Sequence, residues 1–246
     1  MKTKTVKKMV LLEVSAIQIV LNVLNPIALI IFLILGLIKL RDSRKGNLYN
    51  IYLSSFFMLL FLGFLINILY VVFTDKISDN LYIQLARLVT FIIFYAYCFP
   101  LFFLISLKRG FITISKKFKL RYFLAWAAPI VIVLFIGDVS LGPERKVLWD
   151  KQIGIGMLVI LGAEYLFFLK ESIYLVQKFQ DKHLKRKFLF FILGYSVLII
   201  VSVSLTLFNS GWMESSTYTI ISAICIIPGG YSMYYGVGKK IMKEGQ

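Results

Sequence analysis

The sequence has a single histidine, His183, and only two cysteines, Cys98 and Cys225, among its 246 residues. One imidazole excludes multi-histidine metal, haem and diiron sites. The cysteines lie in separate apolar stretches without CxxC spacing, so neither a disulfide framework nor a zinc site is expected. No HExxH, GxSxG or GxxxxGK[ST] pattern occurs. Charge is also scarce: 16% of residues are charged, against about 25% in an ordinary soluble domain. No second acidic residue matches Glu164 in depth, which leaves paired-carboxylate chemistry without a partner. The expectation is a chain with no catalytic residues, no metal and no cofactor.

What the sequence does have is apolar length, with 59% of its residues hydrophobic. A spanning helix needs about 20 mostly apolar residues, and seven such stretches fall at roughly 12–38, 49–73, 82–107, 121–137, 153–177, 187–208 and 217–237. The expected fold class is all-α, an integral membrane bundle of seven transmembrane helices forming one domain over 1–246 in the cell membrane. The opening MKTKTVKKMVLL looks like the basic region of a signal peptide, but the apolar run continues to about Leu40. That is too long for a signal segment, and it is read as the first span.

The formal charge of +16 would suggest nucleic acid in a soluble protein. Here the basic residues sit at the ends of apolar runs, where lipid headgroups lie, and no nucleic-acid partner is expected. The loops RDSRKGN, KRGFITISKKFKLR and QKFQDKHLKRK and the C-terminal lysines together carry more than twice the Lys and Arg of the opposite side. Cytoplasmic loops carry that excess, which places the N-terminus outside and the C-terminus in the cytoplasm; the four N-terminal lysines oppose this. The orientation rule accounts for the basic loops by itself, and contact with an acidic signalling partner or anionic lipid is the alternative.

Residues 158–176, LVILGAEYLFFLKESIYLV, hold Glu164 about twelve residues into the fifth span, close to the bilayer midplane at about 1.5 Å per residue. An ionised carboxylate there costs several kcal/mol unless it is paired, hydrated or protonated. Lys170 and Glu171 lie nearer the cytoplasmic end and read as an interfacial feature. Arg87, one to two turns into the third span, either reaches the outer interface or forms a buried pair, with Glu13 better matched in depth than Glu164.

Span one places Gln18, Asn22 and Asn25 on one helical face beside Pro26. Asn67 in span two and Thr219 and Ser222 in span seven add polar groups at comparable depth. Two accounts stay open: a polar cavity open to the outside with Glu164 at its floor, or hydrogen bonds that merely join helices. Pro26, and Pro228 followed by Gly229 and Gly230, are either hinges or points of close packing. The prolines of spans 1–3 and 5–7 do not match in position, which weakens a transporter built of two similar halves. Span seven also lacks the lysine a retinal pigment needs.

The last two spans read KHLKRKFLFFILGYSVLIIV, then NSGWMESS, then IIPGGYSMYYGVGKK. With the seven-span layout, this resembles the seven-transmembrane sensor region of archaeal and bacterial histidine kinases, although no kinase core follows. The resemblance implies a stand-alone sensor or subunit that works through a cytoplasmic partner. The expected function is a receptor-like membrane sensor that binds a small ligand in the outer half of the bundle and signals through its basic loops. On that expectation Glu164 takes a cationic or hydrogen-bonding group and Arg87 an anionic one. A small-solute or proton-coupled transporter using Glu164 is the alternative, and an assembly subunit without a ligand a further one.

Overall fold

The computed structural model describes residues 25–44, 48–73, 76–110 and 114–236. Seven helices account for nearly all of them: α1 (Asn25–Arg44), α2 (Asn50–Val72), α3 (Asp79–Arg109), α4 (Lys116–Ile136), α5 (Lys151–Lys178), α6 (Lys182–Asn209) and α7 (Ser215–Gly236). Helices α2 to α6 are long and apolar enough to cross a membrane. In α1 the charges Lys39, Arg41, Asp42 and Arg44 crowd the last turns, and the earlier part of the expected first span lies outside the described residues. In α7, serines, threonines, tyrosines and glycines interrupt the apolar residues. These five long apolar helices support embedding in a membrane.

Four of the helices start where a polar side chain can take over an unpaired backbone N–H of the first turn. Ser78 accepts from the Leu81 amide, Ser115 from Phe118, Asp150 from Ile153 and Asp181 from His183. These four spans thus begin at Ser or Asp, with the basic residues of α4, α5 and α6 following inside the first turns.

The connection DVSLGPERKVLWD, read from sequence as a plain loop, contains a small antiparallel hairpin. Strand β1 (Val139–Leu141) pairs with β2 (Val147–Trp149), with Val139 opposite Trp149. Alternation explains it: Val139 and Trp149 are buried while Ser140 points out, and Gly142 and Pro143 supply the turn. Asp150 closes the base, since its backbone N–H donates to the Asp138 carbonyl (3.0 Å) and its carboxylate accepts from the Asp138 amide (3.2 Å). This end of the bundle is the hairpin end below; the opposite end, where Lys108, Arg109, Lys178 and Lys182 lie, is the basic end.

Helix α3 sits at the centre, with most of its apolar residues buried, whereas α4 at the periphery buries few. Phe56, Phe57, Phe94, Phe102, Phe103, Phe168, Phe188 and Phe191 fill the space around it. Helices α6 and α7 approach most closely through glycine. A Cβ on Gly194 would run into the backbone at Met233 and Gly229, and one on Gly236 into the backbone of Phe191. Gly229 packs on Leu198 and Val197 of α6, and Gly230 faces Phe32 of α1. Helix α7 continues through Pro228 without interruption, so these glycines serve as a packing seam between α7 and its neighbours.

Candidate functional site

The centre of the molecule is organised by a fault in α3. Its helical hydrogen bonding is interrupted at Tyr97, between the segments Asp79–Ala96 and Cys98–Arg109. Pro100 explains the position: it has no N–H to give the Ala96 carbonyl, and its ring crowds that carbonyl. Side chains from two other helices fasten onto the exposed backbone. The Tyr195 hydroxyl of α6 donates to the Tyr97 carbonyl (3.3 Å), and the Tyr122 hydroxyl of α4 donates to the Cys98 carbonyl (2.8 Å). Tyr97 answers across the same gap. Its hydroxyl donates to the Leu198 carbonyl (2.9 Å) and accepts from the Ser202 hydroxyl (2.7 Å).

Glu164 of α5 faces this fault. It is 1% exposed, and its Oε1 has no hydrogen-bond partner among the described residues. The Cys98 thiol and the hydroxyls of Tyr97, Tyr122 and Tyr195 lie within electrostatic range of its carboxyl. Along its own helix, Leu161 and Met157 cover it toward the hairpin end and Phe168 toward the basic end, all buried. Phe168 stacks on Tyr195 (3.7 Å between ring centroids) and packs with Phe191, which contacts Phe103 and Phe188. A layer of phenylalanines therefore separates the carboxyl from the basic end.

Chemically, the arrangement offers one acid surrounded by neutral hydroxyls and a thiol. It has no nucleophile with an attendant base and no grouping of His, Cys, Asp and Glu that could hold a metal ion among the described residues. What it can do is exchange a proton, or accept hydrogen bonds from a small cationic or hydroxyl-bearing ligand.

The other sequence-predicted residues lie elsewhere. Arg87 donates through Nη2 to the Gly137 carbonyl at the end of α4 (3.3 Å), and its guanidinium lies 5.9 Å from the Phe135 ring centroid. It is ten residues from Tyr97 along α3, about 15 Å by helical rise. Asn67 is half-buried in α2, Thr219 donates back to the Ser215 carbonyl (2.8 Å), and Ser222 is buried in α7. None of these four hydrogen-bonds Glu164. Gln18, Asn22 and Glu13 lie outside the described residues, as does the side chain of Asn25; Pro26 falls in the first turn of α1. Lys170 is exposed, while Glu171 pairs with Lys108 (3.0 Å) at the basic end.

Sequence reasoning missed Cys98, Tyr122 and Tyr195 as neighbours of Glu164. A signal was present for Tyr195, since a tyrosine in the middle of an apolar span must bring its hydroxyl to a partner. No comparable signal marks Tyr122, which lies in the second turn of α4.

Compared with known proteins, the chain matches no family model, no curated protein and no solved structure.

Proposed function

We propose that this chain is a seven-helix, receptor-like membrane sensor, with its N-terminus outside and C-terminus in the cytoplasm. Its responsive element is Glu164 set against the interrupted helix α3. One observation supports the reading: a buried carboxyl, whose Oε1 has no hydrogen-bond partner among the described residues, faces a helix fault that three tyrosines tie to two neighbouring helices. A ligand or proton that meets the carboxyl would compete with, or reinforce, those ties. The two halves of α3 would then be free to change their relation, and the basic end, where Lys108 and Glu171 join α3 to α5, would respond. The shift can be no larger than the ligand's difference in affinity for the two arrangements. On this reading the ligand meets Glu164 at the floor of the outer-half site, and Arg87, engaged with the Gly137 carbonyl, lies apart from it. The output surface is the set of basic loops, through a cytoplasmic signalling partner.

A second reading, proton-coupled or small-solute transport, is favoured by the interrupted helix itself. Transporters commonly build midplane sites from discontinuous helices. Against it stands the phenylalanine layer between Glu164 and the basic end.

The test is thermal unfolding of the purified protein and of Glu164→Gln across pH, with a panel of small amines and hydroxyl compounds. The sensor reading expects a ligand-dependent rise in midpoint that the substitution abolishes, and no counterflow of that compound in liposomes. Exchange of the compound abolished by Glu164→Gln establishes transport instead. If no compound shifts the midpoint and Glu164→Gln is as stable as wild type at every pH, Glu164 is only part of the helix packing, and both readings fail.

A further inference from the structure

Far from Glu164, at the basic end, the start of α6 and the end of α7 enclose a groove of about 390 Å³. His183, Arg186, Lys187 and Phe190 of α6 line one wall, and Tyr231, Ser232 and Tyr235 of α7 the other. Its volume falls within the roughly 300–1,000 Å³ of small-ligand sites. Among the described residues no acidic side chain lines it. The nearest in sequence, Asp181, is occupied as the cap of α6, accepting from the His183 amide (2.7 Å). The N-terminal end of α6 adds partial positive charge; the C-terminal end of α7 adds about half a negative charge, less than Arg186 and Lys187 carry together.

The groove also has an apolar continuation. Phe190 meets the edge of Tyr235 (5.4 Å) and Tyr231 stacks on Tyr235 (6.4 Å), which bridges the two helices with aromatic rings. One to two turns from Arg186 along α6, on the same side, Leu189 and Leu193 are about half exposed. On α7, Ile224 prolongs the Tyr235 and Tyr231 side and is also exposed. Cationic and hydroxyl groups at the mouth, tyrosines below them and exposed aliphatics beyond repeat the layering of a lipid at a membrane interface.

We propose that this groove seats the phosphate of an anionic phospholipid, with Arg186, Lys187 and Ser232 holding the headgroup and the acyl chains running along Leu189, Leu193 and Ile224. The guanidinium of Arg186 supplies the forked donors that suit phosphate oxygens, and Lys187 a second charge. Ser232 donates one hydroxyl. The inference is independent of Glu164, because the site lies at the opposite end of the phenylalanine layer.

The test uses the full chain in phosphatidylcholine nanodiscs, alone and doped with phosphatidylglycerol, and reads bound lipid by native mass spectrometry and the thermal midpoint. Wild type is expected to retain phosphatidylglycerol and to rise in midpoint as its fraction increases. Arg186→Gln with Lys187→Gln is expected to weaken retention by about tenfold or more. Ser232→Leu, which fills the groove without changing charge, is expected to do the same. Lys182→Gln with Lys185→Gln removes equal charge from exposed positions outside the groove and is expected to leave retention within about twofold. Equal loss in the two double variants would reduce the effect to diffuse surface charge and overturn the site. Displacement of the lipid by inorganic phosphate at millimolar concentration would make the ligand a soluble phosphate and overturn the lipid assignment. So would binding of a polyglutamate peptide with no response to phosphatidylglycerol.

Discussion

Glu164 and Arg87 are both ionisable residues in the interior of apolar helices, and the structure treats them in opposite ways. Arg87 has a long side chain a little over two turns from the start of its helix, and it reaches the Gly137 carbonyl that α4 exposes where it stops. Glu164 has a short side chain in the middle of a 28-residue helix, and its Oε1 meets no hydrogen-bond donor among the described residues. Reach and depth, more than charge, decide which ion is absorbed into the architecture and which is left over.

The sharpest way to break this comparison is to put a permanent charge where the carboxyl stands. Glu164→Lys is expected to lower stability by about 3 kcal/mol or more, because an unpaired ammonium in that setting has neither water nor a counterion; reversible unfolding in mixed micelles measures it. Glu164→Gln should change stability by less than about 1 kcal/mol in the same assay, since the amide keeps the shape without the charge. A large loss with Gln as well would mean that the carboxyl does have a partner.

Next in size are the tyrosines at the helix fault. Tyr97→Phe removes a donor to Leu198 and an acceptor for Ser202, both buried, and should cost about 1–2 kcal/mol. Tyr195→Phe and Tyr122→Phe each remove one bond to an α3 carbonyl and should cost about 1 kcal/mol apiece. If α3 responds as a unit, the double variant will lose more or less than the sum of the singles, because sites sharing one element are coupled.

At the hairpin end, Arg87→Met keeps the apolar stem and removes the bond to Gly137. A loss of about 1 kcal/mol is expected, with no effect on ligand-dependent midpoint shifts at Glu164. A lost ligand response would join the two regions that the structure holds apart. The smallest effect is expected at Lys108→Met, which breaks the partly exposed bridge to Glu171. It should cost under about 1 kcal/mol and fade in high salt.

Much of the layout was legible in the sequence. The apolar stretches at 49–73, 153–177 and 187–208 correspond to α2, α5 and α6 within a few residues, because hydropathy and chain length are local properties. Pro100 is a helix-disturbing residue inside the third apolar stretch, and the helical hydrogen bonding is interrupted three residues before it. The hairpin at 139–149 escaped because three-residue strands are shorter than the patterns that reveal strands. Tyr122 escaped because nothing about its neighbours distinguishes it from an ordinary interfacial tyrosine. The grouping of Arg87, Asn67, Thr219 and Ser222 rested on depth alone, and depth leaves the direction of each side chain open.

Helix placement and the depth of Glu164 followed from the sequence by itself, because a backbone in hydrocarbon must satisfy its own hydrogen bonds and an apolar run of sufficient length has little choice but helix. Which groups meet Glu164 was decided only by the tertiary structure. Each residue turns about 100° around its helix, so a small rotation of α4 or α6 would carry Tyr122 or Tyr195 away. These contacts also join residues as distant in the chain as Tyr195 and Tyr97, and no local pattern records that meeting.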